Sequence, residues 1–269
     1  MNEEMFFKSR SIARADPAKD IDLINQYSLK ELKPEDVYCF SVALCDNEID
    51  RDLERFTDES LKSLQLLFVG KTGIKNHDWD TDNQVARIYR AEIQETDRKT
   101  SYGEPYKRLM GSVYMLNNEA NKSLIESIEG GITKEVSIGF RCRKLSCSIC
   151  GERLSFSWID FITKCRNDHV KGETYDGVQC IGLMEEPEDA YEFSFVAVPS
   201  QRGAGVAKGC IKAGTSVHEL FMKMSIEQLA EYPEANEAVI KRLQTAMLSA
   251  EERKERAEII KAVEKYRNA

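Results

Sequence analysis

Three separated polar residues, His77, Ser137 and Glu192, have the side-chain chemistry of an acyl-transfer site. A serine hydroxyl is a weak nucleophile until a neighbouring base takes its proton, and histidine is suited to take and return one near neutral pH. A carboxylate behind the imidazole would hold it in the right tautomer. Ser137 lies in Lys134-Glu135-Val136-Ser137-Ile138-Gly139-Phe140, whose alternation predicts a strand with Val136, Ile138 and Phe140 on the core face and Ser137 and Gly139 on the other. Glycine inside a strand is tolerated where another backbone or a ligand comes close, so Gly139 marks where a substrate peptide would lie. Taken singly, each motif also has a plain reading. Ser137 suits a half-buried strand, His77 a surface loop, and Glu192 the solvated face of a strand.

A second group of residues has metal-binding chemistry. Cys147-Ser148-Ile149-Cys150-Gly151 is a tight Cys-x2-Cys turn, followed by Cys165, His169 and Cys180. Thiolates and imidazole suit zinc, and such a turn with a second pair of soft ligands closes a tetrahedral site. Cys147, Cys150 and Cys165 are expected as ligands; the fourth is His169, favoured by its closeness to Cys165, or Cys180. With no open position implied, the expected metal is a structural Zn2+. Cys39, Cys45 and Cys210 are isolated and read as small buried residues.

The elements that must position these groups are legible in outline. The residues before 37 are polar and mixed, and no element is assigned to them. A strand over 37–44 is followed by a charged loop over 46–56. Thr57 then caps a helix carrying Leu61, Leu64 and Phe68 at helical spacing, which stops at Gly70, with Gly73 in the next loop. That loop delivers His77. Strands are expected over 85–93 and 109–116 around a polar turn region, and a helix through Leu124, Ile125 and Ile128 ends at Gly130-Gly131, just before the Ser137 strand. The segment 142–183 looks inserted. An acidic linker over 185–189 then leads into a strand over 190–198, with Tyr191, Phe193 and Phe195 on one face and Glu192 and Ser194 on the other. From 203 a glycine-rich linker leads to a helical tail, with a capping box at Ser225 to Gln228 and Ile240, Leu243 and Met247 at helical spacing.

With 42% hydrophobic and 31% charged residues and a net charge of −8, the 269-residue chain reads as globular and acidic, which argues against nucleic acid as its main partner. The amino terminus does not resemble a secretory signal and no apolar run reaches the roughly 20 residues of a membrane span. A cytosolic protein with no membrane partner is therefore expected.

With His77 in Asn76-His77-Asp78, Ser137 in Val136-Ser137-Ile138-Gly139-Phe140, and Glu192 in Glu192-Phe193-Ser194-Phe195-Val196-Ala197-Val198-Pro199, in that chain order, the sequence resembles the prohead proteases of tailed bacteriophages. These are serine peptidases related in fold to the herpesvirus assemblins, and the resemblance covers about residues 37–202. It implies an α+β protein with a small β-barrel-like core and surrounding helices, here carrying an inserted zinc knuckle and a helical appendage. It also implies cleavage of capsid and scaffold proteins, and often self-cleavage, inside the immature shell in the host cytoplasm. The roles implied are Ser137 as nucleophile, His77 as base and Glu192 as orienting acid; a homo-oligomer is left open. The Cys-rich insertion lengthens the spacing between Ser137 and Glu192, and the helical tail has no counterpart in the peptidase core.

Overall fold

The structure, a computed structural model, describes residues 15–158 and 161–207. Among them the elements run in order as helix α1 (Pro17–Asn25), strands β1 (Val37–Asp46) and β2 (Glu54–Phe56), helix α2 (Asp58–Phe68), strands β3 (Thr72–Lys75), β4 (Ala86–Lys99) and β5 (Pro105–Leu116), and helix α3 (Lys122–Glu129). Strands β6 (Val136–Cys147), β7 (Leu154–Ser157), β8 (Ile162–Cys165), β9 (Thr174–Tyr175), β10 (Val178–Gln179), β11 (Gly182–Phe195) and β12 (Gly205–Val206) follow. The protein is α+β. The expected helices over 225–266, the glycines at 209 and 214, and Cys210 lie outside the described residues. The chain divides into two units, Met1–Gly214 and Thr215–Ala269.

Eight strands form one mixed sheet in the order β12-β1-β5-β4-β3-β11-β2, with β6 also paired to β11. No continuous ladder closes it into a barrel. A single bridge between Glu135 and Gly205, with Val206 N–H donated to the Lys134 carbonyl at 2.6 Å, brings the start of β6 beside β12.

The core follows the sequence alternation. Tyr38, Phe40, Val42 and Leu44 on β1 meet Val136, Phe193 and Phe195 from β6 and β11, and Leu61, Leu64 and Phe68 of α2 are buried against them. Ile138 and Phe140 pack half-buried on the same cluster, as expected for the core face of the Ser137 strand. The α2 start is also as read: the Thr57 side chain accepts the Ser60 N–H, and Asp58 and Glu59 occupy the first turn, where the helix dipole favours acids.

Several departures have identifiable causes. The polar segment before residue 37 contains α1, because Asp16 caps it, Pro17 suits its first turn, and buried Asp20 takes Arg90 at 3.0 Å and the Tyr89 hydroxyl at 2.7 Å. Ile24 of α1 joins Val37, Cys39, Tyr89 and Tyr114 in a second cluster, so β1 is buried on both faces. The charged loop over 46–56 ends in a short strand, β2. The expected acidic linker over 185–189 is instead the middle of β11. Its carboxylates face basic residues of β6 and of the turn just before β3: Glu185 meets Lys144 at 3.0 Å, Glu188 meets Arg141 and Arg143 at 3.1 and 2.6 Å, and Asp189 meets Lys71 at 3.2 Å. Residue 142, the expected insertion boundary, consequently falls inside β6. Gly203 and Gly205, expected in a linker, lie within the fold, with Gly205 paired to Ala43.

Gly73 belongs to β3 and not to a loop, since a Cβ there would overlap the Phe193 ring, itself fully buried. Overpacking a filled core costs about 1–3 kcal/mol. Gly73→Ala is expected to lower the urea midpoint accordingly with an unchanged slope, and an unshifted midpoint would show that the Phe193 ring relaxes freely.

Candidate functional site

Strand β11 lies between β3, which is parallel to it, and β6, which is antiparallel. In this register Glu192 is opposite Gly139 on β6 and Thr72 on β3, while Ser194 is opposite Ser137 and Ile74. Facing pairs on antiparallel strands place their Cβ atoms about 5 Å apart, so Ser137, Gly139, Glu192 and Ser194 make one patch. His77 reaches this patch through a backbone reversal. Just beyond β3, Asn76 and His77 both take the left-handed conformation, with φ of 58° and 54°. Such a conformation is costly for a residue with a Cβ, and persists only where its surroundings hold it. Here Asn76 N–H is donated to the Phe195 carbonyl at 3.0 Å and His77 N–H to Ser194 Oγ at 3.0 Å.

A closed ring of hydrogen bonds results. Ser194 Oγ accepts from the His77 backbone and therefore spends its proton on Glu192 Oε2, at 2.8 Å. The other carboxylate oxygen, Oε1, lies 2.8 Å from His77 Nδ1. Glu192 is 2% exposed and Ser194 is fully buried, whereas the His77 side chain is 41% exposed. An ionised Glu192 accepts from Nδ1–H, which leaves Nε2 as the basic nitrogen. The acid that sequence alone also suited to a solvated face is thus among the most buried polar groups of the described residues.

Gly139 has a different role from the one expected. A Cβ there would overlap Glu192 Oε1, so the position makes room for the carboxylate and not for a substrate peptide. Ser137 itself is half-buried, with no hydrogen bond to His77 among the described residues. It borders a cavity of about 120 Å³ walled by Leu44, Phe56, Phe140 and Met184, with Asp50 and Glu54 also lining it. Burial pushes the Asp50 carboxyl up to about 6, against which its hydrogen bonds from the Glu54 and Asp52 backbones work.

The cysteine-rich segment forms two matching knuckles. In the first, Cys147 N–H is donated to the Glu152 carbonyl and Gly151 N–H to the Cys147 carbonyl, both at 2.8 Å, with Gly151 at φ 75°. In the second, Cys165 N–H is donated to the His169 carbonyl at 3.1 Å and Asp168 N–H to the Cys165 carbonyl at 3.0 Å, with Asp168 at φ 58°. The β7–β8 hairpin joins them. The ligand atoms of Cys147, Cys150, Cys165 and His169 all lie within 4.8 Å of one another, a cluster that can hold a metal ion. Cys150 and Cys165 sulfurs are 3.6 Å apart, and His169 Nδ1 lies 3.3 Å from Cys150 and 3.6 Å from Cys147. Sulfurs bound tetrahedrally at about 2.3 Å to one ion stand about 3.8 Å apart, so the donor set fits such an ion. Cys180 is fully buried with its sulfur 3.6 Å from that of Cys147, but it is not in the set of four. The Glu152 backbone N–H, helped by His169, pulls the Cys150 thiol down to about 6, while burial, then Cys147, pushes Cys180 up to about 12.

Sequence reasoning missed Ser194 as a member of the site, although Glu192-x-Ser194 on one strand necessarily shares a face. It also misplaced Tyr191, which was expected beside Phe193 and Phe195. The register shifts between Ala190 and Glu192, so Tyr191 is an extra residue turned out of the core, with its ring 5.4 Å from that of Trp79. No family model, no curated protein and no solved structure matches the chain.

If Gly139 is the space that the carboxylate occupies, Gly139→Ala must separate Glu192 from His77. The expected result is loss of the downfield Nδ1–H proton resonance of His77 in a still-folded chain; persistence of that resonance would contradict the packing.

Proposed function

We propose that the chain is a serine endopeptidase in which Ser137 is the nucleophile, His77 the general base and Glu192 the group that orients it. The observation that carries this reading is the 2.8 Å contact between His77 Nδ1 and the buried Glu192 carboxylate, one strand away from a half-buried serine. Ser137 Oγ attacks the scissile carbonyl as Nε2 of His77 takes its proton, and the same nitrogen returns the proton to the leaving amine. The imidazolium formed in between is stabilised by Glu192, whose two oxygens hold the Ser194 hydroxyl and the His77 ring. Ser137 and His77 share no direct hydrogen bond among the described residues, and contacts of this kind often tighten only with substrate.

The order His77, Ser137, Glu192 and its resemblance to the prohead proteases carry the further proposal that the substrates are capsid and scaffold proteins, including the chain itself, cut during shell maturation. In this reading the mixed sheet is a version of the barrel-like core of that class. The Cys147, Cys150, Cys165 and His169 cluster is read as a structural zinc site. Bound zinc would hold the two knuckles together and supply no chemistry at Ser137.

A second reading, a binding module or scaffold part built on the cysteine-rich segment, is favoured by the β7–β8 hairpin. Its Phe156, Trp158 and Phe161 residues are 47%, 79% and 74% exposed, and the Phe156 ring meets those of Trp158 and Phe161. Nucleic acid suits that reading poorly, because Arg143, Lys144, Lys164, Arg166 and Lys171 are all paired with acids.

Co-expression with a capsid protein substrate tests the peptidase. Ser137→Ala and His77→Ala are each expected to cut its processing by about 10⁶-fold, and Glu192→Gln by about 10⁴-fold, with folding retained. Processing by well-folded Ser137→Ala would sink the assignment. Independently, protein purified under reducing conditions without chelator is expected to contain about one zinc per chain, lost in Cys150→Ser and kept in Cys180→Ser. Elemental analysis finding no zinc in the native chain would reject the metal.

A further inference from the structure

Trp79 and Tyr191 are tied by sequence to both members of the His77–Glu192 pair: Trp79 is two residues after His77, and Tyr191 immediately precedes Glu192. Their rings meet at 5.4 Å with an interplanar angle of 58°, yet the Trp79 side of the contact is 68% exposed. An indole gains most when buried, so an anchoring role for the loop would use only a small part of its surface. Tyr191 is available to it only because the strand carries an extra residue, and bulges of this kind re-aim side chains beside functional sites.

The loop that carries Trp79, over residues 76–84, is acidic, with Lys75 at the end of β3 the basic residue that precedes it. Asp78, Asp80 and Asp82 alternate along the exposed loop with Trp79 among them. Asp80 Oδ1 accepts the Asp82 N–H at 3.0 Å and Asp78 Oδ2 accepts from Asn83 Nδ2 at 2.7 Å, which holds the loop in one shape through the turn at Thr81–Asn83. None of the three carboxylates forms an ion pair among the described residues. Aromatic faces attract cations, and adjacent carboxylates add a Coulomb attraction that neutral or acidic side chains do not feel.

We propose that Trp79 and Tyr191, flanked by Asp78, Asp80 and Asp82, form a recognition shelf beside His77 for a lysine or arginine side chain of the polypeptide substrate. The cationic head lies over the exposed indole and shares the aspartates, while the aliphatic stem covers the ring edges. This assignment of the occupant as substrate rests on the peptidase reading, but the binding step itself does not require cleavage.

The test uses the full chain carrying Ser137→Ala, to prevent turnover, and Trp158→Phe, which leaves Trp79 as the only tryptophan. Short peptides identical except for one central Lys, Arg, norleucine or Glu are titrated against its fluorescence. Lys and Arg peptides are expected to bind roughly fivefold tighter than norleucine, the upper value for a cation over an exposed ring. This preference should shrink at high ionic strength. Trp79→Ala, followed by calorimetry, should abolish the preference, and the triple change of Asp78, Asp80 and Asp82 to Asn should reduce it and remove most of its dependence on ionic strength. Equal binding of Lys and norleucine peptides, or a preference unaltered in Trp79→Ala, overturns the shelf. If the preference is found while the Ser137 chain cleaves nothing, the shelf stands and the peptidase reading fails.

Discussion

Burying the Glu192 carboxylate is the constraint around which this part of the fold is arranged. An ionised acid removed from water costs several kcal/mol unless its lone pairs are satisfied and a counter-charge lies near. Both oxygens are satisfied, one by the Ser194 hydroxyl and one by His77 Nδ1, and the space for the side chain exists only because residue 139 has no Cβ. The same requirement explains the two consecutive left-handed residues at Asn76 and His77, since an ordinary exit from β3 would carry the imidazole away from β11. The strain of that turn is opposed by the bonds from Asn76 and His77 to β11. The histidine, the acid, the serine that links them and the glycine are therefore one mutually dependent unit, and substitutions among them should not act additively.

The cysteine-rich segment is joined to this unit by two continuous strands and not by a hinge. β6 carries Ser137 near its start and Cys147 at its end, while β11 begins two residues after Cys180 and carries Glu192 near its other end. Between the two, the strands pair along most of their length, with exposed ion pairs along their middle. Exposed pairs of this sort contribute little stability, so what they secure is mainly the match of one strand's basic residues to the other's acidic ones. A metal holding the two knuckles would thereby steady the far ends of the strands whose near ends carry Ser137 and Glu192.

Much of this was determined by the sequence alone. Periodicity was enough for β1, α2, β5, α3 and the core face of the Ser137 strand, because each buries a regular stripe whose spacing is a property of one element. Three of the metal-cluster residues, with His169 favoured over Cys180 as the fourth, were legible for a similar reason: two short loops with soft ligands close in sequence can come together whatever the rest of the chain does. The tertiary structure decided what depends on neighbours distant in sequence. Gly73 is in a strand because Phe193 lies over it, and residues 185–189 are in a strand because basic side chains of β6 and β3's approach neutralise them. The meaning of Gly139 reversed for the same reason, from space for a ligand to space for Glu192. Tyr191 left the core through a one-residue bulge, which a strict two-residue alternation cannot express. Composition along one strand states which side chains share a face; only the register between strands states what fills the space in front of them.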